Sequence, residues 1–373
     1  MNVWRTAGMP ALLASAALGF TGFALLLPTA PMWAVRLGTD SFGAGLVNAV
    51  LMACTVVAQL LVGRLMRRVG WAVTLAIGLV LLGAPALVHM FAETLWAVLL
   101  LAALRGFGFG ILTVCGVDGI AGLVPQEHRG RAVGAYGLAI AGPQFLLVPV
   151  APWLAEQVSF DLVFLLAGAP LLGVPLVLMF GSPIPRPATR PRDHVVATRG
   201  LVITIAALVV VTASGGAILT FTPQFSGPAT GFAALLVMTG MSALSRWRIG
   251  GIADRHGAGR FIAPMLYVAA GGLGLIAFGI PHSGAAVIAG ALLIGTAYGA
   301  LQSLTLVEAY AVTDTRAHGA VSVVWNVGFD AGTSLGSFAV GALATGASFP
   351  AAFVVMAVGC ALVGLAWPFT RGR

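Results

Sequence analysis

Long apolar runs alternate with short polar breaks along the chain, and the alternation repeats about twelve times. A helix rising about 1.5 Å per residue needs roughly 20 apolar residues to cross about 30 Å of hydrocarbon. The pattern predicts such helices over about 8–33, 42–62, 71–91, 95–122, 130–152 and 160–180. Six more are predicted over about 200–222, 229–246, 261–280, 284–310, 318–342 and 349–369. The runs lack the strict apolar–polar alternation of lipid-embedded strands, so the expected fold is an all-α membrane protein. The longest polar break, 181–194, holds four prolines and three arginines and cannot continue a helix. It divides the chain into a six-helix half at 1–181, a linker at 182–199 and a second six-helix half at 200–373.

Composition removes the soluble alternatives. Hydrophobic residues make up 59% of the 373 and charged residues 8%, against about 25% charged in soluble domains. The net charge of +8 comes entirely from arginine, since lysine is absent. With the amino terminus inside, the cytoplasmic set is Arg5, Arg64, Arg67, Arg68, Arg129, Arg131, Arg186, Arg190, Arg192, Arg199, Arg246, Arg248, Arg255, Arg260, Arg316, Arg371 and Arg373. Only Arg36 and Arg105 fall elsewhere. Basic loops stay cytoplasmic during insertion, so both termini are expected inside, in a multi-pass protein of the cell's inner (plasma) membrane. These clusters punctuate apolar runs and form no continuous basic stripe, which excludes a nucleic-acid partner. The run after Arg5 reads as a retained first helix and not a signal peptide.

Cys54, Cys115 and Cys360 lie inside apolar runs, where a thiol serves as a small hydrophobe. The sequence has no metal-ligand spacing, nucleophile–base grouping or phosphate-cradling loop, so no metal, cofactor or enzymatic activity is expected. The halves echo each other. Gly63–Gly70 and Gly250–Gly257 are 187 residues apart, and Gly106, Gly110 and Gly130 correspond to Gly295, Gly299 and Gly319 at 189. Internal repeats of this size are the sequence trace of many transporters.

At these positions the chain resembles the major facilitator superfamily. Gly250-Gly-Ile-Ala-Asp254-Arg255-His-Gly257 is similar to the glycine-aspartate-arginine-glycine signature after the second helix of each half; the first half has Arg67 at the aspartate position. Leu104-Arg105-Gly106-Phe-Gly108-Phe-Gly110 resembles the family's fourth-helix arginine motif. The stretch from Arg129-Gly-Arg131 to Gly142-Pro143 resembles a fifth-helix pattern of the family's exporters, with Phe145-Leu146-Leu147 where a glycine pair usually follows. Pro28-Thr-Ala-Pro31 and Leu37-Gly38 resemble the end of the first helix. The resemblance implies twelve helices in two pseudo-symmetric halves and transport by alternating access. The function expected is proton-coupled efflux of a small organic solute by a monomer in the lipid bilayer. The alternatives are a proton-coupled uptake permease and, from another class, a non-transporting sensor or accessory protein.

Charges are costly in hydrocarbon, so ionisable groups within spans carry the chemistry. Asp330 is near the middle of span eleven and is the first candidate for exchanging the coupled proton. Asn326, one turn earlier, Ser322 and Trp325 would extend it as a polar stripe; buried hydrogen bonding between helices is the competing use. Arg105, Gln144 and Gln302 complete the expected substrate and proton pathway, with Gln59 among the scattered polar groups that favour an amphiphile. A cytoplasmic gate is expected from Gly250, Asp254, Arg255 and Gly257 against Arg129 and Arg131, with Asp118 and Glu308 as helix-end partners. Gly328, Gly332 and Gly336 read as packing contacts, and His89, Glu93 and His282 as surface groups.

Overall fold

The structure, a computed structural model, describes residues 6–125, 128–180, 198–314 and 318–367, without the side chains of Arg129, Asp254 and His318. The linker at 182–199 therefore lies outside the described residues apart from its last two. The helices are α1 Met9–Arg36, α2 Ser41–Val69, α3 Trp71–Val88, α4 Leu95–Leu123, α5 Arg129–Gln157, α6 Phe160–Ala167 and α7 Pro170–Phe180. There follow α8 Arg199–Phe225, α9 Pro228–His256, α10 Gly259–His282, α11 Gly284–Ala311, α12 His318–Gly346 and α13 Phe349–Ala366. Among the described residues, eleven spans are long and apolar enough to cross a membrane, α6 and α7 together forming one of them. The 29-residue α12, which carries Asp330, brings the helices to the twelve expected.

Two differences from the sequence pattern have clear causes. The sixth span is predicted as one helix but divides at Gly168, ahead of Pro170, whose missing N–H and fixed ring interrupt the hydrogen-bond ladder. Spans two and eight run well past their apolar stretches, so Gly63–Val69 and Gly250–His256 are helical and not loops. Hydropathy marks where the hydrocarbon ends; arginine, leucine and methionine carry the helix on beyond it. The turns come at Gly70 (φ 85°) and Gly257 (φ 83°), one in each half at the repeat spacing. There the backbone is left-handed, which a side chain disfavours.

Helix starts follow local chemistry. Thr94, Ser159, Thr198, Ser283 and Ser348 each accept a hydrogen bond from the backbone N–H three residues on, opening α4, α6, α8, α11 and α13. Inside the helices, Thr29, Thr212, Thr222 and Thr305 donate to the carbonyl four residues back, which satisfies hydroxyls that have no water to meet.

The chain packs as two units. One comprises Met1–Gly38 and Val50–Thr189, the other Thr39–Ala49 and Arg190–Arg373. In the first, Gly106 and Gly110 of α4 lie against the backbone carbonyls of Leu51 and Thr55 on α2. In the second, Gly295 and Gly299 of α11 lie against the carbonyls of Met238 and Ser242 on α9. The repeated glycines thus make the same close backbone approach twice, because a Cβ at any of the four would collide with main chain. Gly332 and Gly336 perform this role for α12 against Val209 and Ala213 of α8.

The start of α2 belongs to the second unit. Asn48 Nδ2 donates to Thr220 Oγ1 at 2.9 Å, Thr220 and Ser337 hydroxyls are 3.0 Å apart, and Ser334 Oγ donates to the Ala49 carbonyl at 2.9 Å. Asn48, Thr220 and Ser337 are all fully buried, so this is a polar seam inside an apolar core.

Candidate transport site

In the second unit, Asp330 sits 13 residues into α12 and is 5% exposed. The half-buried Tyr298 of α11 lies within electrostatic reach of both Asp330 and Arg246 of α9. Arg246 Nη1 donates to Gln302 Oε1 at 3.0 Å, and Ser303 Oγ donates to the Arg246 carbonyl at 3.5 Å. Trp325 Nε1 donates to Thr305 Oγ1 at 3.0 Å, and the Trp325 and Tyr298 rings flank Phe329 at 5.8 and 6.2 Å. Three adjacent helices, α9, α11 and α12, thereby bring a cation, an amide, a phenol and a carboxyl group into one electrostatic neighbourhood.

Of the expected substrate and proton pathway, Asp330, Trp325 and Gln302 join this cluster. Asn326 does not: it is exposed, and its Nδ2 donates to the Ser322 carbonyl of its own helix at 2.8 Å. Arg246 and Tyr298 are the residues that the sequence pattern hides. Arg246 falls where the apolar run ends and so reads as a loop cation, yet α9 continues for ten residues beyond it. Tyr298 looks like any aromatic in an apolar run, and only the facing helices reveal its neighbours.

In the first unit, Arg105 is the largest fully buried side chain. Its Nε, Nη1 and Nη2 have no hydrogen-bond partner among the described residues. Gly106 packs on α2 and Gly108 on α3. Phe109, one turn further along α4 from Arg105, stacks on Phe23 of α1 at 3.9 Å with the rings 7° from parallel. The arginine therefore occupies the face of α4 that looks toward α1 and α3.

His89, directly after α3, corrects the expectation of a surface histidine. It is fully buried, with Nδ1 2.7 Å from the Pro85 carbonyl and its ring 5.5 Å from Phe164. Hydropathy misplaces it because a single polar residue between apolar neighbours looks like a span end. Glu93 and His282 are exposed.

Gln144 is half-buried on α5, with Nε2 3.5 Å from the Ile140 carbonyl, and joins neither cluster. Among the expected gate residues, Arg131, Asp118 and Arg255 are exposed, Glu308 and Gly250 half-buried, and Gly257 forms the left-handed turn. The side chains of Asp254 and Arg129, on which the pairing depends, lie outside the described residues. Among the described residues, no group of three or more His, Cys, Asp or Glu could hold a metal ion.

These features define a polytopic helical carrier with ionisable groups buried between its helices. The Major Facilitator Superfamily model matches residues 12–327, so the chain belongs to that family and is a multi-pass membrane transporter. No curated protein matches the sequence. Among solved structures, a bacterial homolog of the human lysosomal transporter Spinster, inward-facing and unoccupied, superposes with a TM-score of 0.81 at 13% identity, covering 99% of this chain and 97% of that one. The nucleoside transporter NupG superposes with a TM-score of 0.77 at 13% identity, each chain covered in full. At these identities the likeness concerns the fold.

Proposed function

We propose that the protein is a secondary active transporter that moves a small, amphiphilic organic solute by alternating access, coupled to protons and working in the direction of efflux. The observation that carries this reading is Asp330, a carboxyl group 5% exposed and within electrostatic reach of the Tyr298 hydroxyl. A carboxyl group in such a place can take up and release a proton as its access to water changes. Trp325, Phe329 and Tyr298 offer apolar faces beside it, and Gln302 and Arg246 offer hydrogen bonds, a mixture suited to an amphiphile. The exporter direction rests on the resemblance of the Arg129–Pro143 segment. Cytoplasmic termini rest on the distribution of arginine.

The test is proton release or uptake when candidate amphiphiles are added to purified protein, with Asp330→Asn alongside. The wild type should exchange protons on binding and the variant should not; an undiminished signal in the variant removes Asp330 from the role. Accumulation of the same solute in vesicles of known sidedness then decides between efflux and uptake.

The asymmetric signature adds a gate to this reading, resting on Asp254 in the second half, where the first half carries Arg67. Asp254→Asn should slow transport without reducing the amount of protein inserted in the membrane, and wild-type rates would remove the gate.

A further inference from the structure

Two buried basic side chains in the first unit are left with open nitrogens. Arg105 and His89 are both fully buried, and they lie within electrostatic reach of each other. The three guanidinium nitrogens of Arg105 and Nε2 of His89 lack hydrogen-bond partners among the described residues. A guanidinium keeps its charge, and an uncompensated buried charge is among the costliest features a fold can carry. The other charged groups at this end of the packed elements do not discharge it. Arg36 of α1 lies over the Phe160 ring at 5.3 Å, while Glu156 in the last turn of α5, Asp161 in the first turn of α6 and Glu93 in the connection to α4 are all exposed.

We propose that Arg105 and His89 form a binding site for a compact anion, the carboxylate of the transported solute, and that occupancy of this site takes up one proton on His89. This rests on the transport reading but not on its direction, nor on Asp330. The proton follows from the tautomer. A carbonyl only accepts, so the 2.7 Å contact with Pro85 fixes the hydrogen of neutral His89 on Nδ1. Nε2 then carries a lone pair, which repels an anion. Adding a proton turns Nε2 into a donor while Nδ1 keeps its bond to Pro85. One carboxylate oxygen can accept from His89 and the pair from the Arg105 fork, as in other bidentate arginine–carboxylate contacts. The balance is one anion plus one proton plus neutral His89, giving an imidazolium–carboxylate pair beside Arg105. The ring contacts of His89 with Phe164, and of Phe164 with Trp33 at 5.5 Å, keep water from this end of the site.

Equilibrium binding to the purified full chain tests this, with sodium benzoate as the probe, benzamide as its neutral counterpart, and chloride-free buffers of two different ionisation enthalpies. Benzoate should bind and benzamide should not. Proton uptake should approach one per benzoate, and affinity should fall about tenfold per pH unit above the titration of His89. Arg105→Gln should weaken benzoate binding about 100-fold or more, Arg105→Lys less, and Arg36→Gln not at all; thermal melts of each variant establish that it is folded. In His89→Gln, benzoate should still bind, without taking up a proton. Equal binding of benzamide, unchanged affinity in Arg105→Gln, or proton uptake that persists in His89→Gln would each overturn the proposal. Chloride that displaces benzoate at equal concentration would also overturn it, by making the site one for a free halide. None of these readings depends on Asp330, so the failure of either proposal leaves the other measurable.

Discussion

At the scale of single residues, the two units carry their charges differently. Arg246 has an amide partner in Gln302, whereas Arg105 has no hydrogen-bond partner among the described residues. Gln302→Leu should therefore remove the Arg246 contact and cost about 1.5–3 kcal/mol, the worth of a hydrogen bond to a charged group. The check is the thermal unfolding temperature in detergent, with Gln302→Glu as the variant that retains an acceptor. Asp330, Trp325, Gln302 and Arg105 are legible in the sequence because a polar or charged residue amid apolar neighbours stands out. Tyr298 and His89 are not, for a physical reason. Their roles depend on which side chains face them from other helices, and periodicity along one helix carries no information about that.

At the scale of elements, the glycine contacts are the most specific feature of the packing. Gly106→Val and Gly299→Val would each drive a side chain into a neighbouring backbone carbonyl, with a cost of about 1–3 kcal/mol for overpacking. Both variants should melt earlier, while Gly271→Ala, where an added methyl group meets nothing within 4 Å, should not. Equal melting of all three would show that the helix approach is not set by glycine. The sequence shows these glycines as a repeat, but not their partners. It also misjudges the ends of α2 and α9, since loss of apolarity and loss of helix are separate events, and only Gly70 and Gly257 terminate the helices.

At the scale of the whole molecule, the number of helices follows from hydropathy, since each span must be apolar over a fixed length, while the family is legible only through the resemblance of its motifs. The placement of arginine adds a sidedness prediction. With the three native cysteines replaced, a cysteine at Glu93 should react with an impermeant thiol reagent from outside intact cells. One at His256 should react only after the membrane is opened. The reverse pattern would invert the topology.

The backbone contacts of α4 on α2 and of α11 on α9 also bear on which deformations are soft. Where side chains interdigitate, sliding one helix along another means lifting knobs out of holes. Where a glycine face rests on main chain, there is little to lift, yet pulling the helices apart exposes carbonyls packed in close contact. Each pair should therefore be stiff against splaying and compliant to small axial shear. Such a pair can change the level of a buried side chain, Arg105 beside one glycine shelf or Gln302 beside the other, without opening the core around it.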